Sequence, residues 1–319
     1  MGTPRRDEIM LLAVGAEACP AWTWVAPCAA RASASPYSAL GHAAVLETRF
    51  MSESVEEWVE EFILATTLEG KLSPPKAPAR WAESPTPLRI TAPGRPPEFE
   101  IVLRAPKRPR SLRSAEARAK VMHTFFHHEL QAAELMGWAL LAYADAPSEF
   151  RRGLLRILHD ELRHAGLYRE QVELLGHHVG DFPVRDWFWE RLAACETPLS
   201  FVASMGVGFE GGNLDHSLRF TEAFRELGDE AGACAQERVG REEIAHVRFA
   251  LRWFRAFAGE FDFERWSSEL VTPLSPMVMR GNALNLESRR EAGLDDAFLT
   301  ALSDWKPTAD ALPRPRKKV

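Results

Sequence analysis

Twice in this chain an acidic pair precedes a histidine by three positions: Asp160-Glu161-Leu162-Arg163-His164 and Glu242-Glu243-Ile244-Ala245-His246. On a helix, residues three apart share a face, so Glu161 with His164, and Glu243 with His246, each aim an oxygen and a nitrogen at one point. Carboxylate oxygen with imidazole nitrogen suits iron, manganese or zinc. Two more glutamates, Glu129 and Glu210, stand in the middle of apolar stripes of helical period. From Glu129 to Glu161 is 32 residues and from Glu210 to Glu243 is 33, whereas Glu161 to Glu210 is 49. One glutamate from each of two helices plus Glu-x-x-His from each of two others is the ligand set of dimetal-carboxylate bundles. Glu129, Glu161, His164, Glu210, Glu243 and His246 are therefore the candidate ligands of two transition-metal ions. Iron is the foremost expectation, with manganese or a mixed manganese and iron pair as alternatives. A salt-bridged polar core is the reading without metal.

Such residues must be positioned by four long helices, and the caps delimit four. The first opens at Ser114 and carries Met122, Phe126, Glu129, Ala133 and Met136 on one stripe. The second follows Pro147, ends at Gly176, and carries Leu154, Ile157, Glu161, His164 and Tyr168. The third starts at Thr197 with Pro198 in its first turn and ends near Gly228. The fourth opens at Asp229 and ends near Gly259. Each is about thirty residues, or about 45 Å at 1.5 Å per residue. Gly180 to Glu196 supplies one long crossover between the two helix pairs. The expected fold is all-α: a ferritin-like four-helix bundle over 114–259. Before it, 51–113 form an N-terminal helix and a proline-rich basic linker. After it, 260–319 form a C-terminal helical appendage and a basic tail. Residues 1–50 lack a sustained period and are expected to be disordered or to reflect a mis-assigned start.

The neighbours of the ligands have their own expected places. Asp160 and Glu242 are expected beside the site, because metal-bound histidines donate their other ring N–H to a carboxylate or carbonyl. Tyr168, one turn beyond His164, is expected in the core next to the ligands. His127 and His128 precede Glu129, and because neighbours on a helix point about 100° apart, both cannot join it and they are expected at the surface or behind the ligands. His177 and His178 are expected in an exposed loop, and Trp187, Phe188 and Trp189 in crossover packing. The glycines of GVGFEGG around Glu210 each weaken a helix by about 0.8 to 1 kcal/mol. They indicate close packing or a π-bulge. On the second view, alanine at Gly211 and Gly212 is expected to stabilise the helix.

At 46% hydrophobic and 26% charged the 319 residues have globular composition, and a net charge of −6 gives no general attraction to nucleic acid or anionic membrane. The four cysteines form no C-x-x-C pair, which suits reduced thiols in a cytoplasm. The basic run Arg104 to Lys120 is expected to be a solvated linker.

The segments HHELQAAEL, ELRH, VGDFPVRDWFWE, GFEGGNLD and EEIAHVRFALRWF resemble the ferritin-like family catalogued as domain of unknown function 455 (DUF455). The resemblance extends to EEWVEEFILATTLEGKLSPP, APKRPRSLRSAEARA and TPLSPMVMRGNALNLESRREAG, covering nearly everything after Met51. It implies a fold and a dimetal centre, not a reaction. The leading functional expectation is a cytoplasmic oxygen- or peroxide-activating oxidoreductase acting on a small-molecule oxidant and an unknown substrate. Alternatives are a ferroxidase or iron-handling protein, and a structural metal-bound or RNA-associated bundle. Neither a membrane nor a nucleic acid is the expected partner, and a homodimer is compatible with the reading.

Overall fold

Ser54 accepts a hydrogen bond from the Glu57 N–H while the Glu57 carboxylate accepts from the Ser54 N–H, and this reciprocal cap starts α1 (Val55–Leu64). The computed structural model describes residues 51–104 and 109–307; expectations for 1–50, for 105–108 of the linker and for the tail from 308 lie outside the described residues. A short α2 (Leu68–Leu72) follows. The chain then runs without regular structure to Ser114, whose hydroxyl accepts from the Ala117 N–H and starts α3 (Ala115–Ala142). A turn closed by Ala146 N donating to the Tyr143 carbonyl follows, and beyond Pro147 α4 (Ser148–Leu174) returns along α3.

The crossover contains α5 (Trp189–Leu192) and leads to α6 (Pro198–Phe201), capped by Thr197. A π-helical segment, Val202–Glu210, continues directly into α7 (Gly211–Glu226). Asp229 caps α8 (Glu230–Ala258), which packs back along α7 and along α4. Beyond Gly259, α9 (Phe263–Ser268), a 3-10 turn at Pro276–Met279, α10 (Leu286–Ala292) and α11 (Asp296–Asp304) complete the described chain. The fold is all-α, and among the described residues the one β feature is an isolated bridge between Ile101 and Val184. No helix among them is long and apolar enough to cross a membrane.

Two helical hairpins, α3/α4 and α7/α8, thus form a four-helix bundle joined by one long connection. The face of α3 turned away from Glu129 is also buried, because α1, the linker and the crossover cover it. Polar residues there are paired, as burial demands. Gln131 Oε1 accepts from Phe188 N at 3.1 Å and from Trp189 N at 3.3 Å, fixing the crossover on α3. Lys71 Nζ donates to Glu134 at 2.6 Å and to the terminal α1 carbonyls of Phe62 and Ile63 at 3.0 and 2.7 Å. Arg95 of the linker clasps Glu134 and Asp186, and Asp186 meets His127 Nε2 at 3.0 Å. His127 is therefore buried in this network, which corrects the surface placement considered for it. His177 is also not freely exposed: it is half-buried, 3.5 Å from Asp181 and against the Phe182 ring.

The third helix departs most from a regular α-helix, and it takes hydrogen bonds from residues more than sixty positions downstream. Trp266 Nε1 donates to the Ala203 carbonyl at 3.0 Å, and Ser204 Oγ accepts from Val271 N at 3.0 Å. Such tertiary partners occupy polar groups where the backbone leaves the α pattern. The π segment ends at Glu210, and Gly211 and Gly212 already belong to α7. These two glycines serve packing: a Cβ on Gly212 would lie 2.6 Å from the Val278 carbonyl oxygen, and one on Gly211 would lie 2.9 Å from Met279 Cε. Alanine at Gly212 therefore meets backbone and does not stabilise the helix, contrary to the sequence expectation. Asp215 fixes the same appendage by accepting from Gly281 N, Asn285 N and the buried Arg289 guanidinium.

Candidate metal centre

Each of the four bundle helices delivers a glutamate to the interior, from the middle of α3, α4 and α8 and from the end of the π segment. Two overlapping groups result: Glu129, Glu161, His164 and Glu243, and Glu161, Glu210, Glu243 and His246. Within each group the possible ligand atoms lie within 4.8 Å of one another, and all six residues are buried. Both groups contain Glu161 and Glu243. Each group on its own offers the oxygen and nitrogen donors that can hold a metal ion.

The histidines face inward through Nδ1. His164 Nδ1 lies 3.4 Å from Glu161, 3.5 Å from Glu243 and 3.9 Å from Glu129. His246 Nδ1 lies 2.9 Å from both Glu161 and Glu243. Their Nε2 atoms point outward to carboxylates, and the pairing is crossed. His164 of α4 meets Glu242 of α8 at 2.8 Å, whereas His246 of α8 meets Asp160 of α4 at 3.4 Å. Arg163 closes the outer layer by donating to Asp160 at 2.7 Å and to Glu242 at 2.5 Å. A helix-surface reading of the two acids thus gives way to contact with the histidines, each across the hairpin boundary.

Several atoms of the cluster have no partner in hydrogen-bonding geometry: both oxygens of Glu161, Oε1 of Glu210 and Nδ1 of His164. Buried groups of this kind are costly unless something satisfies them. Burial, then the Glu161 and Glu243 carboxylates, push Glu129 well above the usual carboxylate range. Burial and the same two carboxylates do so for Glu210. Burial also opposes ionisation of Glu161 and Glu243, yet the two histidines hold both below their ordinary values. Burial would lower the histidines, but the surrounding carboxylates raise both. Without metal, the environment thus favours protonation of Glu129, Glu210 and the imidazoles. A metal ion bound there would compete with those protons.

Tyr168 is fully buried beside the cluster, where burial and the Glu129, Glu243 and Glu161 carboxylates raise its phenol well above the usual value. Two contributors were not singled out in the sequence. Asn213 Nδ2 donates to Glu243 Oε1 at 3.2 Å. Its position three residues after Glu210 was the available signal. Arg163 sits between Asp160 and His164, but its reach to Glu242 depends on how α4 and α8 pack. His128 stacks on Phe188 at 4.7 Å, and Phe188 on Phe209 at 4.5 Å, so these aromatic residues dock the crossover.

The crossed outer pairs give a measurable asymmetry. Glu242→Gln is expected to weaken metal at the His164 end, and Asp160→Asn at the His246 end, by about 10- to 100-fold each. Competition titration with a chromogenic chelator would resolve one weakened step in each variant. Two equally weakened steps in both variants would show that the pairs do not act on separate ends.

Neither a curated protein nor a solved structure matches this chain. Residues 48–300 match the family described as "Protein of unknown function (DUF455)". That span holds both helical hairpins, the whole buried cluster and most of the appendage, and the chain belongs to the DUF455 family.

Proposed function

We propose that the protein is a ferritin-like dimetal-carboxylate protein that activates dioxygen or peroxide, with iron as the foremost metal. The observation that carries this reading is the pair of overlapping buried groups, whose orphaned oxygens and nitrogen fit a cationic occupant better than they fit each other. In this reading Glu161 and Glu243, common to both groups, would help to hold both ions. Glu129 with His164 completes one end, and Glu210 with His246 the other. A bound pair of redox-active ions would supply electron transfer to an oxidant.

The protein residues do the remaining work. Glu242 and Asp160 accept from the histidine Nε2–H groups, which fixes each ring and leaves Nδ1 to face the carboxylates once its proton has gone. Asn213 orients Glu243. Buried apolar side chains that line the cavity with Glu210 and His246, including Leu154, Ile157 and Phe201, keep bulk water away from that end. A ferroxidase or iron-handling role is the second reading, because the cavity beside Glu210 and His246 has room for only about one water-sized molecule.

The test is to strip the protein, load it with ferrous iron without oxygen, and then admit oxygen. Oxidation is expected to be faster than for the same iron in solution, and to stop after the bound pair has reacted. Continued turnover of added ferrous iron, with ferric product accumulating, would favour iron handling. Iron that neither binds nor oxidises faster than free iron would refute both readings.

A further inference from the structure

A narrow cavity lies against one end of the cluster and follows the π segment. Val202, Gly206 and Glu210, four positions apart, line one side of it, while Leu154 and Ile157 of α4 and Phe249 of α8 line another. The i→i+5 bonding of a π-helix makes a wider turn than the α-helix, and the cavity occupies the space beside that turn. Ala250 stands opposite Gly206 so closely that a Cβ on the glycine would lie 2.4 Å from its own, which keeps the space narrow. It accommodates about one water-sized molecule.

Its chemistry disfavours water. A buried water needs about three hydrogen-bond partners. Glu210 and His246 are the polar residues in the wall. His246 already uses Nδ1 on Glu243 and Nε2 on Asp160. That leaves the Glu210 carboxyl, whose Oε1 is buried and without a partner. One carboxyl group, whether it accepts or donates, does not supply the roughly three bonds a buried water needs. Hydrogen peroxide, with two donors and two acceptor oxygens, fares no better. An apolar molecule of this size loses nothing by entering.

We infer that this cavity is a binding pocket for dioxygen, placed at the Glu210–His246 end of the cluster. Neither Glu129 nor His164 lines it, so dioxygen arrives at one metal position and not at the other. The use made of the gas rests on the dimetal reading, whereas the pocket is a property of the chain alone.

Dioxygen is paramagnetic, so methyl NMR on metal-free protein tests the pocket without any turnover. Relaxation of the Leu154, Ile157 and Val202 methyls under oxygen, relative to nitrogen, should exceed that of core methyls at Leu130 and Leu302 by about threefold or more, since a close-packed core admits little gas. Leu154→Phe should fill the space and abolish the difference. Equal enhancement at all five residues in the wild-type protein would overturn the inference, whether or not the variant folds. Metal content, measured separately, decides the dimetal reading: the pocket can fail while metal binds, and metal can fail to bind while the pocket holds gas.

Discussion

Metal content should fall from about two ions per chain to none when Glu161 and Glu243 are both replaced by alanine. These two carboxylates belong to both ligand groups, so their joint loss leaves each position with one glutamate and one histidine. Two side-chain donors do not make a closed, buried site for a divalent ion. Glu129→Ala, by contrast, removes a ligand from one group only, and should leave about one ion bound. Elemental analysis after dialysis measures both, with circular dichroism to confirm that the helices persist. Equal metal content in the double variant and the parent would rule out the assigned site.

Glu134→Ala is expected to destabilise the protein by about 3–5 kcal/mol, the usual consequence of stranding a buried charge. The Lys71 and Glu134 side chains are both inaccessible to solvent, and Arg95 is partly buried. Removing the carboxylate leaves Lys71 with backbone carbonyls alone. Burial already lowers the Lys71 pKa, opposed chiefly by Glu134. Without Glu134 it should fall further, so the unfolded chain would bind more protons than the folded one at intermediate pH. Stability of the variant should therefore recover as pH rises towards the ordinary lysine value. Urea unfolding at two pH values measures both effects. A loss below about 1 kcal/mol, with no pH dependence, would mean that the network is not what secures α1 and the linker.

The buried glutamate and histidine cluster was legible because it obeys local rules. Helical period places Glu129, Glu161, Glu210 and Glu243 inward, and caps at Ser114, Thr197 and Asp229 mark where the helices begin. What escaped depends on distant contacts. The glycines around Glu210 raised a π-bulge, but the extent of the π segment back to Val202, and its contacts from Trp266 and Val271 to Ala203 and Ser204, are encoded by no local pattern. His127 is buried because the crossover brings Asp186 to it. The link between Arg163 and Glu242 joins residues 79 positions apart. Glycine richness did signal that the turn is unusual, but it did not separate distortion from packing. Both occur there, in adjacent residues.

The crossing of His164 to Glu242 and His246 to Asp160 bears on how the molecule comes apart. Neither hairpin owns a complete ligand group, since each group draws on α4 and α8 together. Local unfolding proceeds in cooperative units that often coincide with supersecondary motifs, and the two hairpins are natural units of that kind. An ion held by both would fuse them into one, because either hairpin could open only by releasing it. Hydrogen exchange would then slow together on both sides of the α4/α8 seam, and the metal-free chain would retain the freedom to open one hairpin at a time.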